Sequence, residues 1–291
     1  MEERTLCPFV MRQARYTLWL GSAAVLVLLL SWHEISRLPD GKFHAYIFDV
    51  GQGDSVLLVT PTGRQILVDG GPDFSALERL GEYMPFFDRS IDLLVLTHPH
   101  EDHLAAFPAI LERYRIHGIL TAEDCAPHTG RLRALFDLAA RFTVPLHIVS
   151  VGTRIHLNDG TSLKVLWPPH EQRDALTAND RSVVLSARSG SGSILLTGDI
   201  SQQSEKSLLA SGTNMRADVL KVPHHGSTTS SCTGFLLAVS PQLAIVSSGE
   251  GNSFGHPNPA TVARYEALHI PLLNTQDSGT IPVMFYGTPD R

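Results

Sequence analysis

The sequence predicts an α/β (α+β) fold in which two β-sheets pack face to face under covering helices, preceded by one N-terminal apolar helix. Three observations predict it. From Phe43 onward, short apolar runs alternate with turn residues and amphipathic segments, in two halves of similar style. One of these runs, DLLVLTHPHEDH (92–103), passes from a buried strand into a loop of metal-capable side chains. Ahead of Phe43, residues 16–33 contain no Asp, Glu, Lys or Arg.

Residues 1–15 are polar and carry Arg4, Arg12 and Arg15. Thr17 to Trp32 is mostly apolar; as a helix it measures about 24 Å, short of the roughly 30 Å hydrocarbon core. Tyr16, Trp19 and Trp32 suit the two membrane interfaces, and mild bilayer thinning covers the deficit. A signal peptide is the alternative, but SWHEISRLPDGK after the run offers no small-x-small cleavage site. Cys7 precedes the run and is not a lipobox cysteine. The reading is a short cytoplasmic N-terminus (1–15) and a single-pass transmembrane anchor (16–33). A linker (34–42) containing Pro39 and Gly41 follows, and then one domain (43–291). Basic residues before the anchor place the domain on the extracytoplasmic side of the cell membrane.

Within the domain, FHAYIFDV (43–50) and SVLLVTP (55–61) are strands separated by the turn GQGD, and ILVD (66–69) ends at two glycines. A helix is expected over 74–83, then the central strand, a helix over 104–115, a strand over 118–121 and a helix over 131–142. The second half continues with strands at 146–149, 154–157, 162–167, 182–187, 193–197 and 219–222. Helices follow near 201–210, 234–239 and 259–268, and the last strands are 243–247 and 280–285.

The central stretch sets the chemistry. Leu93 to Leu96 form a strand buried on both faces, and His98, His100, Asp102 and His103 follow at its carboxyl end, where α/β folds place ligands. His98 and His100 are two apart, so in an extended loop they point the same way and can share one ion. Asp102 and His103 come a turn later and face a second position. Two-metal hydrolytic sites hold their ions about 3.5–4 Å apart, which one short loop can span.

Other strand ends add candidates. Asp69 in VDGG is either a turn residue or a carboxylate that braces the histidine loop. Asp199 in LLTGD is either the cap of a helix beginning near Ser201 or a carboxylate bridging two metals. His224 and His225 follow VLKVP; adjacent residues diverge in an extended chain, so one is expected to ligate metal and the other to meet substrate or pass a proton. His225 is the weakly favoured ligand. Asn179, Asn252 and His256 are expected at the cleft rim. His117, His128, His147, His156, His170 and His269 read as ordinary surface or core residues.

Composition bounds the function. The 291 residues are 43% hydrophobic and 18% charged, with a net charge of −6 at pH 7, which argues against a strongly basic nucleic-acid binder. Arg113, Arg115, Arg131, Arg133 and Arg141 lie close in sequence, but Glu112, Glu123, Asp124 and Asp137 dilute them. The three cysteines, Cys7, Cys125 and Cys232, make no CxxC pair, so a cysteine-based zinc site is not expected.

VDGG, THPHEDH, LLTGD and KVPHHGS, in that order, resemble the metallo-β-lactamase superfamily. FDVGQGDSVLLVTPTGRQILVDGGP, LWPP, ND-S, N-FGHP and NTQDSGTI are similar to its ComEC-type branch, the metallo-β-lactamase domain of competence DNA-uptake proteins. The resemblance covers Phe43 to Phe285. It implies a four-layer αββα sandwich with two divalent metal ions, zinc or manganese, at one edge. By resemblance His98 and His100 hold the first ion, and Asp102, His103 and His225 (or His224) the second. Asp199 bridges the ions, Asp69 supports the loop, and Asp102, Asp199 and His224 take part in catalysis. A further histidine that the superfamily often supplies has no clear match; His128, Asn179 or a water is the nearest stand-in. The ComEC-type proteins carry this domain beside a multi-helix channel, whereas this chain has one expected membrane segment and is not itself a transporter. The implied activity is hydrolysis of a phosphodiester, with DNA as the expected substrate. A water between two cations is acidic enough to attack, zinc lowering its pKa to about 7. Hydrolysis of another ester (a phosphocholine-type envelope ester, a lactone or a β-lactam) and a non-catalytic metal-binding module are the alternatives.

Overall fold

The computed structural model describes residues 8–123, 130–171 and 175–285, with side chains from residue 16 onward. Cys7, Asp124, Cys125 and His128 lie outside the described residues. The chain divides into two compact units, residues 1–38 with 83–88, and residues 39–82 with 89–291.

In the first unit a single helix, α1 (Pro8–Ile35), starts well before the apolar run. Residues 8–15 contain no helix breaker after Pro8, and proline is at home in a first turn. Its apolar segment, Tyr16–Ile35, is 20 residues long, and none of it is buried. That length is about 30 Å as a helix, the thickness of a bilayer core, so the deficit expected from Thr17–Trp32 disappears. The chain then turns, with Glu34 accepting from the backbone N–H of Phe86 at 2.9 Å and Arg37 donating to the Met84 carbonyl at 3.2 Å.

The second unit is the sandwich. Its first half supplies β1 (Phe43–Ile47), β2 (Val56–Val59), β3 (Gln65–Val68), β4 (Ser90–Ile91), β5 (Leu93–Leu96), β6 (Arg115–Ile116), β7 (Ile119–Thr121) and β8 (Leu146–Ile148). The second half supplies β9 (Arg154–His156), β10 (Ser162–Trp167), β11 (Val184–Ser189), β12 (Gly192–Leu196), β13 (Val219–Lys221), β14 (Leu243–Val246), β15 (Leu272–Asn274) and β16 (Ile281–Phe285). One sheet runs β16-β1-β2-β3-β5-β7-β8 and the other β15-β14-β13-β12-β11-β10-β9, with β4 and β6 as a small parallel pair. Each large sheet joins an antiparallel half to a parallel half; the parallel strands are β3, β5, β7 and β8 in one and β12 to β15 in the other.

The two sheets bury a shared core. Ala45, Ile47, Leu58, Ile66, Val68 and Val95 of one meet Leu163, Val165, Leu185, Ile194, Leu196 and Ile245 of the other. Alternate residues of the second sheet point outward. Leu195, Leu220, Ala244 and Val246 pack under α6 (Gln202–Ala210), α7 (Thr233–Val239) and α8 (Pro259–Ala267), which contribute Leu208, Phe235, Val239 and Tyr265. In the first half α2 (Ser75–Tyr83), α4 (Phe107–Arg113) and α5 (Gly130–Arg141) bury Leu80, Phe107, Ile110 and Leu135. This is the α/β sandwich expected.

Three differences from the expected elements have physical causes. The helix expected over 104–115 is two pieces, α3 (Glu101–Leu104) and α4, because Pro108 cannot donate to the carbonyl four residues back and instead opens α4. The strand expected to Val50 stops at Ile47, where Phe48 N–H bonds to Ser55 O at 2.9 Å and closes the GQGD loop. Strand β15 and the one-turn α9 (Thr275–Ser278) complete the second sheet edge, where a three-residue strand gives too short a pattern to read.

Candidate metal centre

Asp69, His98, Asp199, His225 and Ser247 all follow the carboxyl ends of parallel strands, β3, β5, β12, β13 and β14 in turn. The two sheets are tied together at this edge, Val183 N–H donating to Thr97 O at 2.9 Å. Glycines allow the close approach. A Cβ on Gly70 would lie 2.7 Å from the Phe107 ring, and one on Gly198, at φ +50°, 2.8 Å from Ser182.

Each inner imidazole is aimed from behind. Asp69, itself left-handed at φ 60°, accepts from Thr97 N–H at 2.8 Å, Thr97 Oγ1 at 2.7 Å and His103 Nδ1 at 2.9 Å. A carboxylate only accepts here, so Nδ1 of His103 carries the proton and Nε2 presents a lone pair. Thr97 Oγ1 spends its hydrogen on Asp69, so at 3.1 Å it accepts from Nδ1 of His98, and Nε2 of that ring also faces forward. His225 Nδ1 donates to Ser247 O at 3.0 Å and lies 3.3 Å from Asp54 Oδ1. Lys221 Nζ holds the same Asp54 oxygen at 2.8 Å, an ion pair almost wholly buried.

The forward atoms converge on Asp199. Its Oδ2 stands 3.4 Å from Nε2 of His103 and of His225, and 3.8 Å from Nε2 of His98 and of His224. Asp102 Oδ2 is 3.3 Å from His225 Nε2 and 3.9 Å from His103 Nε2. The exposed His100 ring lies 4.6 Å from that of His98, centroid to centroid. Nε2 of His98, His103 and His225 and Oδ1 of Asp199 are buried and make no hydrogen bond among the described residues. Buried polar atoms left in that state are costly in an empty protein matrix. Ligands on one tetrahedral ion at about 2.1 Å sit about 3.4 Å from one another, which matches these spacings. The side chains therefore fit a divalent ion. Asp102, His103, Asp199 and His225 form one compact ligand group, their donor atoms all within 4.8 Å. Asp54, Asp69 and His103 form another such group, but Asp54 is committed to Lys221 and Asp69 to Thr97, so these two carboxylates orient imidazoles.

Electrostatics agree with a cation site. Burial works against the charge of Asp199, but His225 and His103 outweigh it and hold its carboxyl well below the usual range. Burial likewise disfavours protonated His103 and His225, yet their carboxylate neighbours, Asp199 first, hold both well above an ordinary imidazole. Burial, reinforced by His103, keeps His98 well below it, the neutral form that ligation requires.

The pair His224–His225 departs from expectation. Both residues are left-handed, at φ 50°, ψ 47° and φ 50°, ψ 23°, so the divergence of neighbours in an extended chain does not apply. Both Nε2 atoms approach Asp199. Asn179 Nδ2 lies 3.4 Å from His224 Nε2. The His256 ring is 5.8 Å from that of His224 and 6.3 Å from that of His225. Asn252 is tied to its own loop: its Nδ2 donates to Gly249 O (2.8 Å) and His256 O (2.7 Å), and its Oδ1 accepts from His256 N–H (2.9 Å). Its side chain thereby shapes the loop that carries His256. The helix-cap alternative for Asp199 also falls away, because Ser201 Oγ caps α6. Asp54, Lys221, Thr97 and Ser182, whose Oγ accepts from Asp199 N–H at 3.0 Å, were not singled out from sequence. A lone lysine inside the apolar run VLKV was the available signal.

The sequence profile described as the Metallo-beta-lactamase superfamily matches residues 48–249. The chain is 29% identical over 252 residues to ComE operon protein 3 of Bacillus subtilis, across 81% of this chain and 32% of that protein. It is 32% identical over 274 residues to competence protein ComA of Neisseria gonorrhoeae, across 90% of this chain and 36% of that one. The chain thus spans about a third of the length of these curated relatives. Among solved structures, the metallo-beta-lactamase fold protein YhfI from Bacillus subtilis superposes with a TM-score of 0.57 at 13% identity, over 84% of this chain and all of that one. The chain belongs to the metallo-β-lactamase superfamily of metal-dependent hydrolases, and it is similar to proteins of the ComEC type.

Two outcomes follow from this geometry. Replacing Lys221 by Met strands the Asp54 carboxylate in the core and should cost about 3–5 kcal/mol of unfolding free energy in urea. The double variant Asp54→Asn/Lys221→Met should recover much of it, and equal losses in both would contradict the pairing. Without metal His103 and His225 hold protons up to a raised pKa, so an ion must displace them and its affinity must rise with pH. Calorimetric zinc titrations from pH 6 to 8 should show proton release and a gain of about tenfold per pH unit for each proton displaced. Affinity independent of pH would contradict the assignment.

Proposed function

We propose that this domain is a metal-dependent phosphodiesterase that acts on DNA outside the cytoplasmic membrane. The observation that carries the reading is the buried carboxylate of Asp199, ringed by four imidazole nitrogens at 3.4–3.8 Å. On this reading His98, His100 and Asp199 would hold one divalent ion, and Asp102, His103, His225 and Asp199 the other. Nitrogen and carboxylate ligands suit zinc or manganese. Ions bound there would activate a water and stabilise charge on the phosphoryl oxygens.

The chain's own groups do the rest. Asp69 and the Asp54–Lys221 pair fix the tautomers of His103 and His225, so that no reorientation is needed during reaction. Asp102 and Asp199 present carboxylate oxygens to the reacting centre. His224 is part exposed, and burial, with His225 and His103, holds it below the ordinary imidazole value. We read it as the group that relays a proton to the leaving oxygen, with Asn179 orienting its ring. His256 faces substrate beside it. The names of the relatives, competence proteins at 29–32% identity, support DNA over other esters.

With manganese or zinc, the purified full chain should hydrolyse bis(p-nitrophenyl) phosphate and single-stranded DNA and leave a chromogenic β-lactam intact. His100→Ala and Asp199→Asn should each lower kcat at least about a hundredfold, above the 10–100-fold typical of outer-shell partners, with the fold retained by circular dichroism. Robust β-lactam hydrolysis without phosphodiesterase activity would overturn the reading. The membrane side is tested separately. With α1 as anchor and basic residues before it, protease added to intact spheroplasts should digest the domain. Protection until lysis would reverse the orientation.

A further inference from the structure

We propose that Phe254 and His256 form a stacking shelf for a nucleobase of single-stranded nucleic acid, beside the phosphodiester that is cut. The inference rests on the phosphodiesterase reading and names how that site selects its substrate. Phe254 is 67% exposed, and its ring stacks on that of His256 with centroids 5.7 Å apart and planes 23° apart. His256 lies in turn 26° from parallel with His225, at 6.3 Å. A row of near-parallel rings thus leads from the metal ligands to an open aromatic face. A base near the phosphodiester that is cut would meet that face.

An isolated exposed phenylalanine would signify little. This one is carried on a loop fixed to the metal centre. Asn252 closes the loop through three hydrogen bonds, to Gly249 O, His256 O and from His256 N–H. Asn258 N–H donates to Gly226 O at 2.9 Å, directly after the ligand pair. A Cβ on Gly226 would stand 2.7 Å from Pro257, so the loop rests on the His224–Gly226 turn without a gap. The shelf is therefore preorganised, and little conformational entropy is lost when a ring docks on it.

Charge makes stacking the needed source of affinity. At a net charge of −6, the chain gains little from the counterion release that drives most DNA binding. An aromatic face binds any base and is indifferent to backbone charge. It also selects single strands, since a base inside a duplex already has both faces covered.

The test compares oligothymidylate with the same oligomer carrying one abasic site, using the manganese-loaded full chain in detergent. The wild type should favour the intact oligomer by about tenfold in kcat/KM. Phe254→Ala should erase that preference, Phe254→Tyr should restore it, and Phe254→Leu, apolar but without a π face, should not. A binding arm needs no turnover: a short oligonucleotide containing 2-aminopurine loses fluorescence on stacking. Quenching by the wild type and not by Phe254→Ala supports the shelf, even if no phosphodiester is cleaved and the catalytic reading falls. Cleavage with the same preference and the same quenching in Phe254→Ala overturns the shelf and leaves the catalytic reading intact.

Discussion

The structure depends on one constraint: a buried carboxylate, Asp199, must share its surroundings with imidazoles whose lone pairs all face it. Neither side of that arrangement is stable alone. A carboxylate withdrawn from water needs opposite charge, and His103, His225 and His98 have forward nitrogens that make no hydrogen bond among the described residues. Protons can fill the gap in part, as the raised values of His103 and His225 indicate. A divalent cation fills it more fully, because it meets several lone pairs at once.

The rest of the sandwich serves to hold that convergence. The inter-sheet core fixes the strand ends, and each ligand is then aimed by a hydrogen bond at its far nitrogen. Three non-glycine residues at the site, Asp69, His224 and His225, adopt left-handed backbone. Such conformations cost on the order of 1–2 kcal/mol each and persist only where the surroundings impose them. Asp69 is held by Thr97 and His103, and His225 by Ser247 and Asp54. The strain is thus concentrated where the candidate metal ligands leave their strands, and the core offsets it.

Much of this was legible in the sequence, for a physical reason. Strands buried on both faces read as continuous apolar runs, and metal-capable residues at their ends stand out against them. Hence β5, β12 and β13, with the loops after them, were visible, and so was the pairing of the two halves into a sandwich. What stayed hidden depends on contacts distant in sequence or on backbone geometry. Asp54 reads as an ordinary turn residue until Lys221, 167 positions later, is seen beside it in the core. His224 and His225 were expected to diverge because the rule for extended chain was applied to a left-handed turn. The hydrogen bonds of Asn252 to its own loop likewise leave no mark in composition. The split between α3 and α4 was marked by Pro108 and could have been read.

The central claim is that Asp199 bridges two cations. Anomalous diffraction from crystals grown with manganese tests it most directly. Two peaks are predicted, about 3.5–4 Å apart, on either side of the Asp199 carboxylate. One should be bonded to His98 and His100, and the other to Asp102, His103 and His225. A single peak, or an ion lodged between Asp54 and Asp69, would contradict the account.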